Sequence, residues 1–507
     1  MSASSAPAPG RASVDGSVPG AKGLRSGALG FVSNVVIGVA STAPGYSLAA
    51  TLGFVIAIDG VGVAAPSVFL VAFLPMLFIA TAYLFMNRAD PDCGTTFTWV
   101  TRALGPYLGW MGGWGLVAAG TIVMANLGQI AGLYTFRLLG LEGAAESTAA
   151  VTALGVLFIA AMTLVCVIGI ELSVRTQVLL LGAELVALVL FAVVALVKVY
   201  AGDAGPQSIE PALGWLNPFE LESTEALAAG VLLAVFIYWG WDATVSVNEE
   251  SVNPSTTPGK AAVGSTLVLL GIYVLVAVAA QAFNGPAGLA DADDALGVLA
   301  AGVFGTPLDK LVVIAVLTSA AASCLTTILP NARTALSMAR HGAAPRALGA
   351  VHPRSQTPHV STLLFGALAI GWYVTLTLIS EDILGDSIAA LGLMISFYYA
   401  LTGYACVVYY RRELFKSARN LILVGVAPLT GATLLALLFY RSCRDLSAPD
   451  AGSGTFLGVG TPLVVGLGFL LLGAALMISW RLLGHREFFS RRREVADPAV
   501  LARETVA

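Results

Sequence analysis

Long apolar stretches separated by short polar ones run through almost the whole chain. A bilayer core about 30 Å thick is crossed by roughly 20 apolar residues in a helix, and stretches of that length or more recur along these 507 residues. They fall near residues 30–58, 65–86, 107–133, 149–170, 177–200 and 227–247. The second half adds 261–283, 311–329, 361–379, 388–410, 421–440 and 456–483. The pattern predicts an all-α polytopic membrane protein of about twelve transmembrane helices. Before the first stretch, residues 1–26 are mostly Ala, Ser, Gly and Pro, which predicts a disordered tail with no cleavable leader. Residues 486–507 read as a second solvated tail, with Arg491, Arg492 and Arg493 at the lipid headgroups.

Two of these stretches are interrupted. The first holds Ser41, Thr42, Pro44, Gly45 and Ser47 at its centre. Pro44 lacks an N–H and disfavours helix at Ala43, and Gly45 lowers the cost of leaving the helix. The sixth is broken at Gly240 and Asp242, with Asp242 placed to cap a second half-helix from Ala243. Unwound backbone at membrane depth survives only where protein buries it or a cavity borders it. Paired interruptions five helices apart point to a transport site near the midplane, between two halves of opposite topology. Two ordinary kinks are the plainer reading.

Composition agrees with the pattern. Hydrophobic residues make up 57% and charged residues 11%, against about a quarter charged in soluble domains; the mean hydropathy is +0.85. With the N-terminus inside, the outer segments keep only Arg137, Lys198, Lys310, Arg441 and Arg444 of 26 Lys and Arg, roughly a four-to-one bias inward. Both termini are therefore expected in the cytoplasm. The five cysteines (Cys93, Cys166, Cys324, Cys406 and Cys443) are scattered, and the four histidines show no ligand spacing, so no metal site is expected.

The residues around the interruptions carry a resemblance. IGVASTAPGYS, followed by Phe236, Tyr238, Gly240 and Asp242 in the spacing FxYxGxD, is similar to the amino acid–polyamine–organocation superfamily of amino acid permeases. EESVNPSTTPGKA after the sixth stretch and PDCGTTFTWVTRALGP before the third resemble further segments of that family. The resemblance implies the LeuT-type fold of five plus five inverted helices with two appended, here residues 27–410 and 411–485, with helices one and six discontinuous. It also implies that the backbone of Val39, Ala40, Ser41 and Thr42 holds a substrate carboxylate. The backbone of Phe236, Ile237, Tyr238 and Trp239 would meet its ammonium group. Ala40 and the STAP sequence after Gly38, and Trp241 where phenylalanine is usual, leave the substrate's side-chain class open.

Several side chains keep two readings. Phe236, Tyr238, Trp239 and Trp241 face the cavity or simply pack. Asn126 and Gln129 line it or join helices. Glu184, about two turns into the fifth helix, is a proton carrier, a permanent ion-pair partner or a snorkelling side chain. Ser319 and Ser323, among the eighth-helix hydroxyls, complete a sodium site with Gly38 and Ser41, or bond to backbone. Glu249, Glu250, Arg333 and Arg340 form an inner gate or solvated helix ends. The expected function is secondary active transport of amino acids across the plasma membrane, by proton or sodium symport or by exchange. No other cofactor and no nucleic acid are expected; the lipid bilayer is the partner, with the chain a monomer or homodimer. A polyamine or organic-amine transporter, a channel and a membrane-embedded enzyme are the rivals, and no His, Asp or Cys cluster at one depth supports the last.

Overall fold

The computed structural model describes residues 22–290, 292, 294–380 and 382–491. Residues 1–21 and 492–507, with most of both expected tails and with Arg492 and Arg493, lie outside them. Among the described residues, eleven helices are long and apolar enough to cross a membrane, and Thr224–Ile237 is a shorter apolar helix in the sixth place. Eleven of the twelve expected spans are therefore present at crossing length, and the shorter helix stands in the place of the sixth.

Burial sorts the spans into a core and a rim. The most apolar windows of the first span (Phe31–Ala57) and the third (Pro106–Leu139) are 89% and 83% buried, those of the fourth (Thr148–Ile168) and twelfth (Thr461–Leu482) only 28% and 22%. The first and third spans thus form the centre, and the fourth and twelfth show apolar side chains to lipid. The third span packs along the eighth (Lys310–Arg340) and the tenth (Ile383–Tyr409). The second (Ala65–Ala89) lies along the seventh (Thr257–Asn284) and the eleventh (Ala418–Asp445). We call the membrane face bearing residues 22–30 proximal and the opposite face distal.

Three boundaries differ from the sequence reading. The fifth span is Ile170–Ala201, seven residues longer at its start than its apolar stretch, because Glu171 and Arg175 are good helix formers that hydropathy discounts. The eighth runs on to Arg340, since its last turns are buried in the bundle and not in lipid. The twelfth begins at Thr461 and not near Phe456: Thr455–Phe456 and Val459–Gly460 form a small antiparallel hairpin. Its two turn residues, Leu457 and Gly458, both have positive φ, as such a tight turn requires.

Candidate functional site

Both predicted breaks exist. The first span is helical over Phe31–Ser41 and again over Pro44–Ala57. Ala43, ahead of the proline, leaves the helix and takes the left-handed φ 47° and ψ 63°. Gly45 is not part of the break, as the sequence had suggested; it lies in the first turn of the second half-helix. Its missing side chain admits a neighbour instead, for a Cβ there would stand 3.4 Å from Glu184 Oε1. The sixth span stops at Ile237 and resumes as the single turn Ala243–Ser246. Gly240 has φ 116°, and a side chain on it would run into the Ser41 carbonyl, so the two breaks touch.

Each break has its own buried carboxylate. Glu184 lies fourteen residues after Ile170, about 21 Å along the helix, and not the two turns that the apolar stretch alone implied. It is fully buried, which removes the snorkelling reading. Gly45 N–H donates to its Oε1 at 2.7 Å, so the carboxylate caps the positive end of the second half-helix. Its Oε2 has no hydrogen-bond partner among the described residues. Asp242 begins the turn after the sixth-span break as expected, but its side chain does not cap it. The carboxylate accepts from Tyr399 OH at 2.9 Å and Tyr398 OH at 3.2 Å instead. Two phenolic donors from the tenth span outcompete the short turn's own N–H groups.

Two small chambers meet at the breaks, sharing Ser41 and Trp239. The distal one is lined by Thr42, Ala43, Tyr46, Val123, Leu127 and Phe236 with those two, the proximal one by Leu116, Gly240, Asp242, Thr327, Pro330 and Asn331 with the same pair. Each has a volume of about 10 Å³, room for roughly one water, so the site is occluded. Trp239 separates them, with its Nε1–H donating to Tyr398 OH at 2.5 Å.

The remaining expected residues divide. The carbonyls of Val39 and Ala40 accept from Thr42 and Ala43 N–H, and the Ser41 carbonyl accepts from Ser323 Oγ at 2.9 Å. Ser319 Oγ accepts from Tyr46 N–H, while Gly38 packs against Ser265 on the seventh span. Among the aromatics, Phe236 and Trp239 face the chambers. Tyr238 donates to the Phe69 carbonyl, and Trp241 lies between Tyr83 and Tyr399. The Ile237 carbonyl accepts from Tyr273 OH. Gln129 joins helices by accepting from Tyr373 OH, and Asn126 is fully buried with its amide against the Tyr46 hydroxyl.

The proximal mouth is closed by charges. Glu249, Glu250 and Arg333 are buried and paired, which overturns the solvated-end reading. Arg333 grips Glu250 through Nε at 2.5 Å and Nη2 at 2.8 Å. Lys22, which the sequence reading passed over as part of a tail, is buried between Asp92 and Glu249 at 2.7 Å from each. Arg340 donates to the Lys22 carbonyl. Burial opposes the charge on Asp92, but Lys22, His341 and Ser337 outweigh it and hold the carboxyl below its usual range. Lys22 is raised above its ordinary value against burial, by Cys93, Asp92 and Glu249. At the distal face Asp294 accepts from Tyr134 and Arg137, and Ala295 N–H donates to the Ala49 carbonyl.

Comparison with known proteins agrees with this geometry. The amino acid permease family matches residues 26–480. An uncharacterized transporter of Mycobacterium bovis is 29% identical over 378 residues, 73% of this chain and 76% of its own. The branched-chain amino acid permease of Bacillus subtilis is 24% identical over 59% of this chain and 65% of its own. The serine/threonine exchanger of the same organism is 22% identical over 73% and 80%. A bundle of apolar helices with two touching breaks around an occluded site, matched to that family over nearly its whole length, belongs to the amino acid permeases: a multi-pass membrane transporter of amino acids and not an enzyme.

Proposed function

We propose that this chain carries amino acids across the plasma membrane by alternating access, coupled to protons through Glu184. The carrying observation is the orphaned Oε2 of Glu184. A buried ionised carboxylate with one oxygen unpaired is costly, and a proton on that oxygen removes the cost. Protonation also weakens the hold on Gly45 N–H, which couples the proton to the half-helix bordering the distal chamber. Substrate sits across the shared boundary at Ser41 and Trp239. The carbonyls of Tyr238 and Trp239, which receive no backbone hydrogen bond among the described residues, are open to its ammonium group.

Residues 27–410 form the transport core and 411–485 two added spans. The proximal face is cytoplasmic on the Lys and Arg bias, so both termini lie inside. Lys22, Asp92, Glu249, Glu250 and Arg333 then form the inner gate. Sodium is the second reading: Ser41, Ser319 and Ser323 stand together beside the break, although two of their oxygens already serve each other.

Uptake into proteoliposomes of an amino acid and amine panel, with sodium and pH gradients imposed separately, tests this. An inward proton gradient should drive accumulation of at least one amino acid without sodium. Absence of both uptake and exchange for every amino acid would remove the permease reading; dependence on sodium alone would remove the role of Glu184.

A further inference from the structure

The break in the sixth span frees three successive carbonyls, and only one of them is met. No backbone N–H among the described residues reaches the carbonyl of Ile237, Tyr238 or Trp239. Tyr273, fully buried on the seventh span, donates its hydroxyl proton to the Ile237 carbonyl. Its ring lies edge-on to Tyr238 with centroids 5.1 Å apart. Hydroxyl and ring together brace the end of this half-helix.

The same hydroxyl faces the first break. Thr42 and Ser47 stand against it, and the Glu184 carboxylate acts on it electrostatically. Thr42 and Ser47 give their own protons to the Val39 and Thr42 carbonyls, so neither competes for Ile237. Glu184 holds Gly45 N–H through Oε1, while its Oε2 has no hydrogen-bond partner among the described residues. A phenol has one proton to donate. It serves a neutral carbonyl or turns towards an ionised carboxylate, and hydrogen bonds to a charged acceptor are the stronger kind. Tyr273 on Ile237, with Oε2 left alone, is the arrangement expected while Glu184 carries a proton.

Resting on the proton-coupled reading, we propose that Tyr273 is the positioning residue that carries the state of Glu184 to the ammonium end of the substrate site. With Glu184 protonated, Tyr273 fixes Ile237, and the neighbouring carbonyls of Tyr238 and Trp239 are held open for an ammonium group. When Glu184 loses its proton, the charge draws the Tyr273 hydroxyl off Ile237. The end of the half-helix then loosens and the substrate leaves. Proton and substrate thus bind together, and each raises the affinity for the other by the same factor. Among the described residues, the titratable side chains facing Tyr273 are Glu184 on the fifth span and Tyr238 on the sixth. The first span brings Thr42 and Ser47 to it, and the eighth brings Ser319 to Glu184. Phenols titrate near about pH 10, which leaves Glu184 as the group that changes charge in the working range.

The probe is whichever labelled standard amino acid the full chain in proteoliposomes accumulates fastest. Its half-saturating concentration for counterflow is measured with both sides at about pH 5.5 and again at about pH 8.5. Unaltered protein should bind at least about fivefold tighter at the lower pH. Tyr273→Phe keeps the ring and removes the donor, so it should bind at both pH values as weakly as unaltered protein does at the higher. Glu184→Gln, fixed without a charge, should bind at both as tightly as unaltered protein does at the lower. A merely structural loss in Tyr273→Phe would weaken binding alike at both and keep the ratio, which would overturn the inference. Weak binding by Glu184→Gln at the lower pH would overturn it too, and that result needs no tyrosine variant. A flat profile in unaltered protein would instead sink the coupling through Glu184, and this inference with it.

Discussion

The two breaks differ in how their carboxylates are held. Glu184, at the first-span break, has one oxygen on a backbone N–H and the other without a partner. Asp242, at the sixth-span break, has an oxygen on each of two tyrosines, with Tyr83 OH a further 3.5 Å from Oδ2. Both are buried, so burial does not distinguish them. Satisfaction does. A fully hydrogen-bonded carboxylate is an anchor between helices, whereas a half-satisfied one gains from taking up a proton or a cation. The same fold thus places a coupling candidate at one break and a structural fastening at the other.

The sharpest test of that contrast is Glu184→Gln, which keeps the size and removes the titration. Uphill, proton-driven accumulation should vanish while counterflow exchange survives; intact accumulation would place coupling elsewhere. A third set of carboxylates supplies the control, because Asp92 and Glu249 share one lysine. Lys22→Met leaves them facing each other, and breaking a buried pair this way costs about 3–5 kcal/mol. Cys93, fully buried beside Lys22, should then react with a permeant thiol reagent, measured with the partly exposed Cys443 replaced by serine. Unchanged labelling would show that Lys22 does not hold the mouth shut.

The sign of the linkage at this mouth sharpens the comparison further. Asp92 is held below its ordinary 3.8, so its contribution is present above that value and is lost as pH falls through its depressed one. Lys22 is held above 10.5, so its contribution is present below that value and is lost as pH rises through its raised one. Neither Asp92 nor Lys22 should therefore change the protection of Cys93 between about pH 5 and 8, and any step there in unaltered protein belongs to His341, which burial holds below its ordinary 6.5 beside Asp92. Transport that varies across that window would owe the variation to another group, and a loss of the variation in Glu184→Gln would identify it.

Asp242→Asn should behave differently from the glutamate variant. Removing one acceptor from the tyrosine pair should lower accumulation and exchange together, by about tenfold for a loss near 1.4 kcal/mol. Separation of the two modes in this variant would erase the distinction between the breaks. The smallest effect is expected for Tyr399→Phe, which deletes one donor. Detergent-solubilised protein should lose on the order of 1 kcal/mol of stability, read as a slightly lower melting temperature, with transport retained.

The primary structure carried more of the fold than of the site. Span number and both breaks were legible because apolar length and the Pro44 and Gly240 positions act locally, within one helix. The depth of Glu184 was not, since hydropathy begins the fifth span where apolar residues begin, and the helix itself begins at Ile170. Nor was the turn of Asp242 from cap to tyrosine partner, because its competitors lie 156 and 157 residues away.

Local chemistry, then, settled that this chain crosses a membrane about twelve times and must unwind twice. Packing settled which atoms meet there: Glu184 with Gly45 across 139 residues, and Lys22 with Glu249 across 227. Such partners are chosen by how the helices stack, and each pairing depends on burial that no single helix provides. That is why the breaks were predictable from residues 38–47 and 236–242, and why the difference between the two carboxylates appeared only in three dimensions.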